Sequence, residues 1–506
     1  MNKIMKIGSL MVIAGAMMTL ASCKKEASPT TGWTYNDEKN GGFEVYPFRE
    51  QETGPGLVLI EGGTFTMGQV EEDVLREWDN AARTVTISSF YMDECEVSNL
   101  DYQEYLHWLE RVFIPNDLKI VVDNAEPDEN VWRNQLGFAE KSVEYYFRHP
   151  AYRNYPVVGV SWLQAVNYAA WRTDRVNEKI LVDMGIIDYM PDIGPEDYFS
   201  TDPYLTYEGY AGNTDKQLQY ISSGESRQVR MEDGILLPKY RLPTEAEWEF
   251  AAYGLIGNTL NERVLERRVY PWNGQYVRTN DKKYTGDFVA NIRRGRGDYM
   301  GLAGNLNDAA DITAPVKSYW PNDYGLYNMA GNVAEWVMDV YRANSHNDVS
   351  EFNPFRGNYY MSKQLLEDGT VAERDSIGKI PQVPVSDFKN DRRRNYRQAD
   401  NINYLDGDWA SLYDLGAWIP EGQNPNSEAT NRMYRKEAAA VTNAVYSLVG
   451  DHARVIKGGS WKDVAWWMSP GQRRYLDEDE STDYIGFRCA MDRLGAPASS
   501  RRHKRR

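Results

Sequence analysis

An α+β fold is predicted for this 506-residue sequence, because three capped helix starts are interleaved with short strand-like runs and no fixed-period repeat is present. The first run is Leu57 to Ile60, and Thr84 to Ile87 follows, leading into Phe90-Tyr91-Met92. Ser98-Asn99-Leu100-Asp101 then sets a hydroxyl at a cap and an acid three positions later, a pair that satisfies the free backbone donors of a helix start. Tyr102, Tyr105, Leu106 and Leu109 recur behind it at helical spacing, so that helix buries this stripe. Val157 to Val160 reads as a further strand and runs into a second box, Ser161-Trp162-Leu163-Gln164. Behind it Trp162, Ala165, Val166, Ala169 and Ala170 form a second stripe. Thr244-Glu245-Ala246-Glu247 is the third box, and Arg454 to Lys457, before Gly458-Gly459, is the last strand-like run.

Composition narrows the function classes. With 42% hydrophobic residues, 35 Tyr, 15 Trp and 14 Phe, the chain can bury a large core, and its mean hydropathy of −0.64 is that of a water-soluble protein. A formal net charge of −17 argues against a general nucleic-acid binder, since phosphate contact needs a basic face. Proteins or small molecules are the expected partners.

Residues 1–22 read as a signal peptide: Lys3 and Lys6 precede an apolar run, Ile7 to Ala21, too short to span a bilayer comfortably. The run ends in Leu20-Ala21-Ser22-Cys23, which looks like a bacterial lipobox, so Cys23 is expected to carry lipid and to open the mature chain. Each buried CH₂ of the acyl chains is worth about 0.8 kcal/mol. Residues 23–56 are polar and rich in Gly and Pro, and they are expected to tether the body; about 30 extended residues reach roughly 100 Å. Three cysteines occur, and with Cys23 lipidated Cys95 and Cys489 remain, as one disulfide or as two buried thiols. The histidines His107, His149, His346, His452 and His503 show no metal-binding spacing.

A set of motifs carries more than composition does. These are Ile60-Glu61-Gly62-Gly63-Thr64-Phe65-Thr66-Met67-Gly68, Glu96-Val97-Ser98-Asn99, Pro156-Val157-Val158-Gly159-Val160-Ser161-Trp162, Arg241-Leu242-Pro243-Thr244-Glu245-Ala246-Glu247-Trp248-Glu249, Gly325 to Trp336, Gly458-Gly459-Ser460-Trp461 and Gly486-Phe487-Arg488-Cys489. In this order they resemble the formylglycine-generating-enzyme (sulfatase-modifying factor) family. The resemblance implies a C-type-lectin-like α+β domain with little regular secondary structure, over residues 57–494, with insertions near 172–240 and 342–453 and a basic tail at 495–506.

The resemblance also implies where chemistry would sit. Enzymes of the family bind copper through two cysteines shortly after the Gly-Gly-Ser motif, a role for soft thiolates. Asp463 and Met468 stand at those places, so neither copper nor catalysis is expected, and the sparse histidines do not supply the cluster of the related iron-dependent sulfoxide synthases. Cys489 matches a structural cysteine of the family whose partner position is Ala169 here. Structural calcium is expected at Asn328, the Gly331 and Val333 carbonyls and Glu335, all oxygen donors. A second calcium set falls on Asn291, the Ile292 carbonyl, Asp308 and the Ala310 carbonyl, with Asp311 competing for the place of Asp308.

A narrower resemblance lies in Thr31-Gly32-Trp33-Thr34-Tyr35-Asn36-Asp37, Asn40-Gly41-Gly42-Phe43, Glu50 to Val58 and Trp171-Arg172-Thr173-Asp174-Arg175-Val176-Asn177-Glu178. These look like the gliding-motility lipoproteins, relatives of the ring lipoprotein GldK/PorK of the type IX secretion system of Bacteroidetes. That resemblance implies a periplasm-facing outer-membrane scaffold whose insertions are partner surfaces. Arg501 to Arg506 brings five fixed positive charges, a solvated end or a dock for anionic headgroups. Two other function classes fit parts of the sequence: a metal-dependent oxidoreductase, and a calcium-dependent glycan or peptidoglycan binder suggested by the many Tyr and Trp residues.

Overall fold

A computed structural model describes residues 26–40, 42–46, 48, 50–69, 80, 82–133, 139–206, 210–256, 268–293, 312–341, 361–384 and 452–495. Its strands are β1 (Leu57–Ile60), β2 (Gly63–Met67), β3 (Arg83–Ile87), β4 (Phe90–Asp93), β5 (Leu218–Gln219), β6 (Ser226–Arg227), β7 (Tyr240–Arg241), β8 (Ala334–Val340), β9 (Met361–Lys363), β10 (Gln382–Pro384), β11 (Ala453–Lys457), β12 (Arg474–Asp477), β13 (Ile485–Phe487) and β14 (Ala490–Asp492). The α-helices are α1 (Asn99–Phe113), α2 (Lys119–Asp123), α3 (Glu140–Tyr145), α4 (Trp162–Asp183), α5 (Thr201–Thr206) and α6 (Glu245–Tyr253). No helix among the described residues is long and apolar enough to cross a membrane.

Two four-stranded sheets organise the body, in the orders β1-β4-β14-β7 and β12-β11-β8-β13. The first is antiparallel throughout, and in the second β13 runs parallel to β8. Successive strand residues point to opposite faces. In β8, Trp336 therefore enters the core under α1 and α4, while Val337 enters the core that holds α6 and the β2–β3 ribbon. Tyr91 and Met92 of β4 divide in the same way. Tyr102 stacks on Tyr168 at 5.6 Å in the first core, and Phe65 meets Phe250 edge-on at 5.2 Å in the second.

All three capping boxes form: the side chains of Ser98, Ser161 and Thr244 accept from the third backbone N–H of their helices, and Asp101, Gln164 and Glu247 reach back. The stripe of α1 is buried as the spacing predicts. That of α4 is shifted, since Ala170 is exposed and Tyr168 takes the buried place between Ala165 and Ala169. Val157 to Val160 is not a strand. Gly159 sits at φ +75° with the Asp128 carbonyl 2.5 Å from where a Cβ would stand, which turns the run before a ladder can form.

The described residues of 26–56 are hydrogen-bonded among themselves and to the body. Ala27 pairs with Thr34, the Asn36 side chain exchanges two hydrogen bonds with the Val45 backbone, and Glu44 is bound by Arg227 and Arg230. Gln51 closes on the far end of the body, donating to the Asp492 carbonyl at 3.1 Å and accepting from Leu494 N–H at 2.8 Å. The first insertion has a small core of its own, where Leu181 at the end of α4 meets Ile186, Ile187, Phe199, Tyr204 and Val229. The described part of the second lies against it: Arg374 donates to the Glu196 and Tyr198 carbonyls, and Tyr198 to the Ile377 carbonyl.

Candidate functional site

Gly458 and Gly459, both at positive φ, carry β11 into Ser460 and bring positions 463 and 468 to the end of the second sheet. Ser460 donates to Asp463 at 2.6 Å, and Arg474 of β12 donates to the same carboxylate at 2.8 and 2.6 Å. Met468 is fully buried among Phe288, Ala290, Ile292 and Ala330, with Trp272 and Trp467 packed against them. One position is thus a compensated carboxylate and the other an apolar thioether. Neither offers the anionic sulfur that copper activation of oxygen requires. Beside this cluster an open cleft is lined by Trp272, Tyr319, Trp320, Leu326 and Met329, together with Asn322 and Asn328. Asn322 donates to the Ala251 carbonyl of α6 and accepts from Tyr324 and Leu326 N–H, so the cleft presents mainly apolar side chains.

The loop from Asn328 to Glu335 folds around buried hydrogen bonds. Asn328 and Asn332 take left-handed backbone at φ 52° and 63°, and their amides donate to the two oxygens of Glu96 at 3.0 and 2.9 Å. Burial pushes the Glu96 carboxyl up, against the pull of Arg488. Glu335 accepts from Arg488 through both oxygens, at 2.7 and 2.6 Å, and from Trp248 at 2.7 Å. Calcium needs six to eight oxygens carrying net negative charge. As these residues stand, Asn328, Gly331, Val333 and Glu335 do not fit it, because Glu335 already neutralises a buried guanidinium. In the second set Asn291 donates to the Ile312 carbonyl at 2.8 Å and Ile292 sits in the Met468 cluster, while Asp308, Ala310 and Asp311 lie outside the described residues. Among the described residues no three His, Cys, Asp or Glu side chains gather as a metal would need.

Sequence reasoning missed a buried ionic group on α6. Every residue of this helix is buried, and each of its three glutamates has a cation: Glu247 has Arg241, Glu245 has Arg473 at 2.8 Å, and Lys457 lies 3.3 and 3.2 Å from Glu245 and Glu249. Glu249 also accepts from the Gly68 backbone at 2.7 Å, tying β2 to the helix. Acid at every second position of an otherwise apolar motif was the available signal, because a charge on a buried helix persists only when paired. Cys95 and Cys489 are free thiols, the first half-buried, the second buried, and burial pushes both up to about 12.

The stretch Trp171 to Glu178 is the seat of the first insertion. Arg172 clasps Asp93 at 2.7 and 2.8 Å, donates to the Pro55 carbonyl and lies 4.3 Å from the Tyr240 ring centre. Asp174 accepts from Thr201 N–H at 2.7 Å at the start of α5, and Asn177 bonds both backbone groups of Leu237. The front segment docks beside it, where the Arg227 guanidinium, bound by Asp233, also reaches Glu44 and Tyr46.

With this geometry in view, residues 42–382 match the family described as the sulfatase-modifying factor enzyme 1-like domain. The chain belongs to that family. This sulfatase-modifying-factor-like chain is 27% identical over 299 residues to the formylglycine-generating enzyme of Mus musculus, an alignment that takes in 59% of this chain and 61% of the mouse protein. The formylglycine-generating enzyme of Thermomonospora curvata is 29% identical, over 60% of this chain and 78% of its own. The inactive C-alpha-formylglycine-generating enzyme 2 of Bos taurus is 25% identical, over 57% and 71%. The family therefore holds members named as enzymes and members named as inactive. Among solved structures, PvdO from Pseudomonas aeruginosa covers 86% of this chain and 94% of its own at 16% identity, with a TM-score of 0.37.

Proposed function

We propose that this family member is a non-catalytic outer-membrane lipoprotein, facing the periplasm, that serves as a structural component of the type IX secretion and gliding machinery, in the manner of the gliding-motility lipoprotein GldJ. The observation that carries the non-catalytic reading is the fate of the copper positions: Asp463 is closed by Arg474, and Met468 is sealed in apolar packing. The lipobox at Leu20 to Cys23 supports the anchor. The front motifs and Trp171 to Glu178 support the narrower resemblance, since both serve to latch the segment before β1 and the first insertion onto the body. Partners are then the ring lipoprotein GldK/PorK and associated envelope proteins, engaged through the joined surface of the two insertions. Copper has no part in this role.

Crosslinked affinity purification from envelopes tests it, with recovery of ring lipoproteins expected and their absence overturning the scaffold reading. Cys23→Ala should abolish palmitate labelling and release the chain from the outer-membrane fraction. Persistent labelling would overturn the anchor.

A further inference from the structure

We infer that the described residues of 26–48 present an aromatic face that lies on the bilayer, so that the body rests against the membrane instead of standing off it on a tether. The inference deepens the lipoprotein reading of Cys23 and rests on it. Three positions separate Cys23 from Glu26, at most about 10 Å of chain. From Glu26 onward the chain is built into the body. Tyr35 N–H donates to the Glu26 carbonyl at 2.9 Å, Asn36 N–H to the Phe43 carbonyl at 2.9 Å, and the Tyr35 and Phe43 rings meet at 5.7 Å. Gly42 packs so closely on Ser222 that a Cβ there would lie 2.7 Å from the serine Cβ. A lipid on Cys23 therefore brings this side of the body to the headgroups.

That side is apolar where it faces outward. Trp33, Phe43 and Phe48 are 63%, 68% and 62% exposed. Met231, next to the Arg230 that holds Glu44, and Leu494, held by Gln51, are 64% and 52% exposed. Exposed apolar side chains also stand elsewhere on the body, such as Ile120 and Tyr276, but these five share the segment next to the lipidated position and the elements it binds. Aromatic side chains are favoured at the water–lipid boundary, where an apolar body and a wet backbone are both accommodated.

Charge on this side is mixed, with Glu26, Asp37, Glu38 and Glu44 beside Lys24, Lys25 and Lys39. The protein as a whole is acidic and would be repelled by anionic headgroups, yet Lys24 and Lys25 adjoin the lipidated position. The described body ends at Gly495, whose Cβ position is 3.2 Å from the Phe48 ring, and the basic residues Arg501 to Arg506 follow it. Basic residues near an anionic surface contribute on the order of 1 kcal/mol each. The short link to the lipidated position and the exposed rings beside it make the bilayer the occupant of this face.

The test is hydroxyl-radical footprinting of the mature chain, residues 23–506, coupled at Cys23 to a maleimide phospholipid on mixed phosphatidylethanolamine and phosphatidylglycerol vesicles, against the uncoupled chain in solution. Both samples carry Cys95→Ser, because Cys95 is half-buried, and Cys489 is buried, so Cys23 is the accessible thiol. Oxidation at Trp33, Phe43, Phe48 and Met231 should fall severalfold on vesicles, while Tyr276 and Met361, exposed elsewhere, keep their rates. Unchanged rates at the four residues, or an equal fall at all six, would overturn the inference. Because the lipid is attached chemically, failure of lipidation in cells, read by palmitate labelling, is a separate outcome that counts against the anchor alone.

Discussion

Arg474 holds Asp463 with both terminal guanidinium nitrogens, at 2.8 and 2.6 Å, where the family resemblance would put the first copper thiolate. The pair is partly solvated, so Asp463→Ala should cost only on the order of 1 kcal/mol. Met468→Ala empties a fully buried apolar site and should cost about 2–5 kcal/mol. Urea melts check both values. If the role is structural, type IX cargo in the medium stays near the parent level for a folded Asp463→Ala chain, and its loss there would restore a chemical role.

Glu335→Ala strands a buried guanidinium and leaves the Trp248 N–H without its acceptor, a change worth about 3–5 kcal/mol. Because Arg488, not an ion, is the partner in this account, the loss of melting temperature should be the same in calcium-containing and chelator-treated buffer. A loss that appears only with calcium would place the ion at this loop.

The capping boxes were legible because each is a pattern within four residues, and each helix started where its Ser or Thr stood. Strand β8 was not. Ala334 to Val340 is buried on both faces, so it shows no apolar–polar alternation, and Asn328 to Glu335 reads instead as a metal loop. The partner that takes Glu335 is Arg488, far along the chain, and no local pattern encodes that choice. The segment before β1 reads as a tether for the same reason. Its polar composition is that of a linker, and its order comes from Arg227, Arg230 and Asp492. Residues 463 and 468 are Asp and Met by identity alone, and the resemblance, not the structure, sets them opposite the family's copper cysteines.

Asp174 gives stability a pH dependence. Burial raises its carboxyl above the ordinary aspartate value, with Thr201 N–H, Arg175 and the hydroxyls of Ser200 and Thr201 pulling the other way, and Lys379 is the cation that faces it from the second insertion. A raised folded value means the contribution is fully present below the unfolded value and is lost as pH rises through the folded one. Asp174→Asn, which keeps an acceptor for Thr201, should therefore lose ground to the parent as pH falls into the acid range and match or exceed it at neutral pH. Denaturant melts across that range check the crossing.

Asn177→Ala removes both bonds to Leu237 and leaves its backbone groups unpaired, at about 1–3 kcal/mol. The first insertion should loosen before the body does. Hydrogen exchange should accelerate over the described residues of 199–237 while the sheets keep their protection; uniform acceleration would mean that the insertion is not a separate unit on α4.

The central claim is that this family member lacks the oxidase metal site, and copper(I) titration with oxygen uptake tests it most directly. Anaerobic titration of the purified chain with a chromogenic copper(I) chelator as competitor should show no transfer of copper to the protein, followed by no oxygen consumption above buffer when a cysteine-containing sulfatase peptide and a thiol reductant are added. Stoichiometric capture of copper from the chelator with peptide-dependent oxygen uptake would contradict the account.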